Sequence, residues 1–195
     1  MTGFLVYSVI FSIGLLGLLD VLLNFYYASL GHSPETIGLL QALPRLAGFL
    51  TSVPIGLLTD RIGTRRMLIV ATVGTVLSLW LQLIPVLPLL VLSRFFFGLA
   101  YGAQQIANAP MMIDLVDAER RTRFFALHNF LMMAAMAFGS FIGGFLPGWI
   151  VRVTQPFSTE ILSPTSAFAY GAAIFLGGLI GLLSVLPLLR LGDAP

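Results

Sequence analysis

Long stretches without charge constrain the fold of this chain more than any other feature of its sequence. Charged residues make up 9% of the 195 residues, hydrophobic residues make up 58%, and the mean hydropathy is +0.99. A helix needs about 20 apolar residues to cross a hydrocarbon core about 30 Å thick, because each residue rises about 1.5 Å. A soluble domain of this length does not need so much apolar surface. The chain is therefore predicted to be an all-α membrane protein.

Short polar turns divide the apolar sequence into six predicted transmembrane helices. In the first turn, Ser33 is a candidate N-cap and Pro34 occupies the first helical position of the second span. The first span is longer than a signal peptide and has no basic leader, so we interpret it as a retained helix. Residues 1–195 are predicted to form one domain with spans at about 4–30, 34–58, 67–84, 88–113, 124–151 and 161–189, and with loops at 59–66 and 114–123.

The positions of the arginines orient this predicted bundle. Lysine is absent, and Arg152 is alone on one side of the bundle. The arginines on the other side are Arg61, Arg65, Arg66, Arg120, Arg121, Arg123 and Arg190. The positive-inside rule places both termini and both arginine-containing loops in the cytoplasm. The expected partners are the lipid bilayer and a small-molecule substrate, with no nucleic acid. No cofactor or metal is predicted, and the absence of cysteine excludes a thiolate metal site.

Three charged residues, Asp20, Arg45 and Arg94, stand out because they lie well inside the predicted spans. A charge in hydrocarbon costs about 2.5–3.5 kcal/mol on insertion scales, so each is a candidate functional residue. The turn of the first hairpin places Asp20 level with Arg45, and Asn24 level with Gln41. Because residues four apart share a helix face, these side chains are predicted to form matched polar stripes near the middle of the membrane.

Each polar group has two interpretations. Asp20 is either a protonatable carboxylate coupled to substrate, with a pKa set by desolvation and the nearby arginines, or half of a static ion pair. Arg94 is expected to lie nearer the outer surface and to extend its side chain toward Asp20. Gln104 and Asn108, four residues apart on the fourth span, bond either a substrate or a neighbouring helix.

The first loop carries a charged sequence between two glycines, GLLTDRIGTRR at residues 56–66. It resembles the loop pattern G-x-L-x-D-R-x-G-x-[KR]-[KR] of the major facilitator superfamily of transporters. The resemblance implies alternating access and a six-helix half bundle built from 3+3 helix repeats. It also makes this loop a conformational latch. Topology explains part of the arginines, but the positive-inside rule does not require Asp60, which favours the latch. The latch residues implied by the resemblance are Gly56, Asp60, Arg61, Gly63, Arg65 and Arg66.

Two further segments resemble the same family. Residues 92–103 are similar to its fourth-helix pattern R-x-x-x-G-x-[GA], in which the arginine, here Arg94, is implicated in proton coupling. Residues 139–144 are similar to the antiporter pattern G-P-x-x-G-G, with Ser140 in place of proline. Small residues let helices approach closely, which predicts four helix-packing glycines. These are Gly98, Gly139, Gly143 and Gly144.

These observations predict a secondary transporter of small organic solutes, with proton-coupled export as its specific form, in the bacterial inner membrane. No ATP-binding loop or hydrolase motif occurs in the sequence, so no enzyme is predicted. The alternative is a non-transporting membrane subunit or scaffold. Members of the family have two six-helix halves, so a second half or a homodimer partner is expected. A truncated half, a natural half-size dimer and an inactive remnant are the three alternatives that the sequence leaves open.

Overall fold

Six helices in the described part of the chain are long and apolar enough to cross a membrane. The computed structural model describes residues 1–157 and 163–190, apart from the side chains of Asp20 and Phe157. Every regular element within those residues is helical. The prediction of an all-α protein with six membrane-spanning helices is therefore confirmed.

The six helices are connected by short turns wherever the connection is described. They are α1 (Thr2–Ser29), α2 (Pro34–Ile62), α3 (Thr64–Leu81), α4 (Leu87–Asp114), α5 (Arg121–Thr154) and α6 (Ala167–Leu189). A π-helical stretch, Ser12–Gly17, lies within α1, and α6 is interrupted at Ser184. The 3-10 turns Ala118–Arg120 and Gln155–Phe157 lie on either side of α5.

The observed helix ends agree only in part with those predicted from the polar turns of the sequence. Ser33 caps α2 as predicted, because its Oγ accepts a hydrogen bond from the Thr36 amide at 3.4 Å. The helices extend beyond the apolar spans, because hydrated charged residues are compatible with helix geometry outside hydrocarbon. The predicted loop at 59–66 is consequently reduced to Gly63, and the loop at 114–123 is largely helical. The sixth span was predicted from residue 161, which lies outside the described residues together with 162.

Gly63 is the whole connection between α2 and α3, and it needs to be glycine. Its φ of +89° and ψ of 144° belong to a backbone region that other residues avoid. We expect Gly63→Ala to lower the free energy of unfolding by about 1–3 kcal/mol, measured by thermal denaturation in detergent. The matched control is Gly56→Ala within α2, where an added Cβ meets no atom within 4 Å. Equal stability of the two variants would contradict the backbone argument.

The packing of the helices follows a two-fold pattern. Helix α1 packs on α5 and α6, helix α4 packs on α2 and α3, and α3 contacts α6. The first helix of each three-helix group therefore packs on the second and third helices of the other group, as in paired 3+3 repeats. Residues of α1, α2, α4 and α5 line a common cavity, and none of its described lining residues belongs to α3 or α6.

Glycines form the closest contacts along two helix seams. A Cβ on Gly139 would lie 2.5 Å from the Ile13 carbonyl of α1, and one on Gly98 would lie under 3.0 Å from the Pro44 carbonyl of α2. Gly143 is also close to α1, with its added Cβ 3.1 Å from the Leu18 carbonyl. The structure thus places these three predicted packing glycines at close contacts between helices.

The fourth prediction, Gly144, is wrong as a packing glycine. A Cβ at this position would meet no atom within 4 Å. Successive helical residues are rotated by about 100°, so Gly144 points away from the seam that Gly143 faces. The neighbouring Ser140 adds a polar contact to the seam, because its Oγ donates to the Gly17 carbonyl at 3.0 Å. Helix α5 continues through Ser140, the position where the antiporter pattern has proline.

Candidate functional site

A cavity of about 500 Å³ opens between α1, α2, α4 and α5. Its volume falls within the range of about 300–1,000 Å³ that is typical of small-molecule sites. Helix α1 contributes leucines to its wall, whereas α2 and α4 contribute the polar and aromatic side chains. The polar side chains among the described lining residues are Gln41, Arg45, Arg94, Tyr101 and Gln105.

Arg94 organises one part of this wall. Its side chain is 4% exposed, and Nη2 donates a hydrogen bond to Oε1 of Gln41. Gln41 Nε2 in turn donates to Oδ1 of Asn24 at 2.8 Å, so α4, α2 and α1 are joined at one depth. The predicted pairing of Asn24 with Gln41 is confirmed. The Asp20 side chain lies outside the described residues, so its pairing with Arg45 or Arg94 stays a prediction.

Arg94 also donates to the backbone of α2, and a proline explains why. Its Nε lies 2.9 Å from the Leu40 carbonyl oxygen. In an α-helix that carbonyl accepts a hydrogen bond from residue 44, but Pro44 has no N–H. An unsatisfied carbonyl inside a bilayer costs several kcal/mol, and the guanidinium supplies the missing donor. Arg94 is therefore a structural link between two helices as well as a cavity residue.

Aromatic and amide groups continue the cavity wall along α4. The Arg94 guanidinium lies 5.1 Å from the centre of the Phe97 ring, a cation–π contact. Phe97 stacks on Tyr101 with ring centroids 5.8 Å apart, and Gln105 Nε2 donates to the Tyr101 hydroxyl at 2.8 Å. These residues recur at helical spacing, so α4 presents one continuous face to the cavity.

The two predicted polar residues on α4 lie behind this face. Gln104 is 1% exposed beside Tyr7, whose hydroxyl bonds Thr72 Oγ1 on α3 at 3.0 Å. Asn108 is also buried, with Nδ2 at 3.5 Å from Oε1 of Gln105. Within the described structure neither side chain lines the cavity. In this structure Gln104 packs beside Tyr7, and Gln105, one residue further along, occupies the wall.

A second polar cluster, which the sequence did not predict, lies near Arg94. The Tyr27 hydroxyl donates to Oε1 of Gln82, and the Tyr26 hydroxyl donates to the Gln82 carbonyl at 3.2 Å. All three side chains are buried, and Tyr27 lies within electrostatic range of Arg94. Tyrosines at the ends of spans are typical of the membrane interface, so their sequence positions alone carry no signal for this contact.

The comparison with known families identifies the fold. The family profile described as Major Facilitator Superfamily matches residues 4–193, nearly the whole chain. The chain belongs to the major facilitator superfamily. It is also 32% identical over 110 residues to the Tetracycline resistance protein, class C, of Escherichia coli. That alignment covers 56% of this chain and 28% of the relative, so the match spans less than two thirds of the relative's length.

The charged residues at the junction of α2 and α3 of this major facilitator chain differ in burial. Arg65 is half-buried, and its Nε and Nη2 donate to the carbonyls of Leu188 and Leu189, each at 2.8 Å. These carbonyls lie at the C-terminal end of α6, where backbone acceptors lack helical partners. Arg65 therefore contacts the C-terminal end of α6. Asp60, Arg61 and Arg66 are exposed at the surface.

Proposed function

We propose that this chain forms one six-helix half of a secondary transporter that moves small organic solutes by alternating access. The observation that carries the proposal is the solute-sized cavity, whose wall includes Arg94 and Gln41 in a hydrogen-bonded network with Asn24. Polar groups within membrane spans are costly, and they usually mark a substrate or ion pathway. A scaffold gains nothing from a cavity with charged walls. The family membership and the resistance-protein relative support the same conclusion.

We further propose that a second six-helix unit closes the cavity. In their most apolar windows, α2 and α5 are only 17% and 22% buried, against 59% for α1. Phe49 on α2 and Met133 on α5 are 78% and 73% exposed, and both helices line the cavity. The second unit is either a different six-helix half or a second copy of this chain. Native mass spectrometry in nanodiscs separates these two cases, because only the second gives a homodimer.

The proposed coupling is proton-driven export, with Asp20 as the group that gains and loses the proton. The arginine-rich end of the bundle, where α2 meets α3 and α4 meets α5, would face the cytoplasm together with both termini. The bacterial inner membrane is the proposed location, in line with the Escherichia coli relative. The name of that relative makes tetracycline the first solute to assay.

The proposed latch is formed by Asp60, Arg61 and Arg66, which are exposed where a second half would meet this end of the bundle. Gly63 supplies the turn between the two helices. Gly56 leaves space about two helical turns earlier, with no atom within 4 Å of an added Cβ. Arg65 holds the end of α6 and keeps the latch aligned with the bundle.

The absence of cysteine from the chain allows a direct test of transport through the cavity. Gln105→Cys places a thiol in the cavity, and Leu77→Cys places one on an exposed face of α3 outside it. In proteoliposomes with an imposed pH gradient, we expect saturable solute flux in both variants. A membrane-impermeant methanethiosulfonate should block the flux of Gln105→Cys and leave that of Leu77→Cys unchanged.

Two results would contradict the proposal. Flux that is insensitive to modification of Gln105→Cys would place the solute path elsewhere. If no solute of the panel, tetracycline included, showed saturable flux in the assembled protein, the non-transporting subunit would become the better interpretation.

A further inference from the structure

We propose that the cavity selects planar aromatic solutes that carry a negative charge. This inference rests on the transport function proposed above and specifies the class of its substrate. It follows from two properties of the cavity wall, namely the sign of its charge and a pair of stacked aromatic rings.

The charge of the cavity favours an anion. The charged side chains among the described lining residues are Arg45 and Arg94. By sequence, Asp20 lies on α1 between the lining residues Leu19 and Leu23. Even with that carboxylate ionised, two guanidinium groups against one carboxylate leave an excess of one positive charge. Electrostatic attraction is strong in the low dielectric of a membrane interior, so an anion is the favoured occupant.

Arg45 is the arginine placed to receive that anion. Arg94 is buried and directs donors to the Leu40 carbonyl and to Gln41, whereas Arg45 is exposed on the same cavity wall. The planar guanidinium presents paired N–H donors that match the two oxygens of a carboxylate. A carboxylate or a similar oxyanion is therefore the expected charged group.

The stacked rings provide a flat surface for the rest of the solute. Phe97 and Tyr101 both line the cavity, and their ring planes are within 16° of parallel. The lining also includes Leu19 and Leu23 on α1 and Met136 on α5. Aromatic rings favour offset stacking on other rings, and a methionine sulfur makes favourable contacts with ring edges. A fused planar ring fits this surface better than a sugar, which requires more hydrogen-bonding groups than these walls offer.

Four probes separate the contribution of charge from that of the ring. They are 2-naphthoate, its saturated analogue decahydro-2-naphthoate, the neutral 2-naphthamide and the cation 2-naphthylmethylammonium. We expect 2-naphthoate to bind the chain in nanodiscs most tightly by isothermal titration calorimetry. The saturated acid and the amide should each bind about tenfold more weakly, and the cation should not bind.

Two substitutions should affect these probes differently. Tyr101→Leu should weaken 2-naphthoate about five- to tenfold and leave the saturated acid unchanged, because only the planar probe stacks. Arg45→Gln should weaken both acids about tenfold and leave the amide unchanged. Phe141→Leu, at an exposed position of α5 outside the cavity lining, is the matched control and should retain wild-type binding. Circular dichroism and size-exclusion profiles confirm that each variant is folded.

Tighter binding of the cation than of 2-naphthoate, or equal weakening of both acids by Tyr101→Leu, would overturn the inference. The substrate class and the transport proposal are tested independently of each other. If the cavity carries flux of other solutes while 2-naphthoate neither binds nor competes, the substrate class is wrong and the transporter stands. If 2-naphthoate binds with the expected pattern but no solute is moved, the substrate class stands and the transport proposal is wrong.

Discussion

Gly139→Ala should destabilise the bundle by about 3 kcal/mol or prevent its folding, whereas Gly144→Ala on the same helix should be neutral or slightly stabilising. The added methyl group at Gly139 would lie 2.5 Å from the Ile13 carbonyl and 3.0 Å from the Ile13 Cα. Both atoms belong to the backbone of α1, so no side-chain rotation relieves the clash, and α1 and α5 have to separate. At Gly144 the same methyl group meets no atom within 4 Å.

The measurement is the midpoint of reversible unfolding in mixed micelles, with helix content followed by circular dichroism. The two variants carry the same chemical change in one helix, so intrinsic helix propensity cancels between them. If Gly139→Ala matched Gly144→Ala in stability, the backbone contact between α1 and α5 would not exist as described.

Arg94→Met should abolish solute flux and lower the free energy of unfolding by about 2 kcal/mol. The loss of flux follows from removing the guanidinium that lies in the cavity wall and donates a hydrogen bond to Gln41. The loss of stability follows from leaving the Leu40 carbonyl without a donor, because Pro44 cannot supply one. These two consequences have different origins, and a second substitution separates them.

Pro44→Ala should restore most of the stability of Arg94→Met and none of its flux. The alanine amide supplies the hydrogen bond that the Leu40 carbonyl lacks. The cost of losing Arg94 should therefore fall below about 1 kcal/mol in the Pro44→Ala background. A double-mutant cycle on unfolding free energies measures this coupling. Additive costs would show that Arg94 does not serve the proline-freed carbonyl, and wild-type flux in Arg94→Met would remove it from the transport mechanism.

Local features of the sequence were sufficient for the outline of the fold. Hydropathy predicts the six spans, and turn chemistry predicts the Ser33 cap. Helix rise predicts that Asn24 and Gln41 lie at the same depth. Each depends on neighbours in sequence or on the nearest turn, and the bilayer makes long apolar runs unambiguous. The ends of the spans were less predictable, because helices continue through charged residues once they leave hydrocarbon.

The side chains that line the cavity and those that pack between helices were decided only by the tertiary structure. Neighbouring residues on one helix differ in role. On α4, Gln105 faces the cavity and Gln104 packs against Tyr7. On α5, Gly143 packs against α1 and Gly144 does not. Arg65 meets Leu188 across 123 residues of sequence. Such contacts depend on the rotation and register of one helix against another. The composition of a single helix determines that it enters the membrane, whereas rotation and register are set only when its neighbours pack against it.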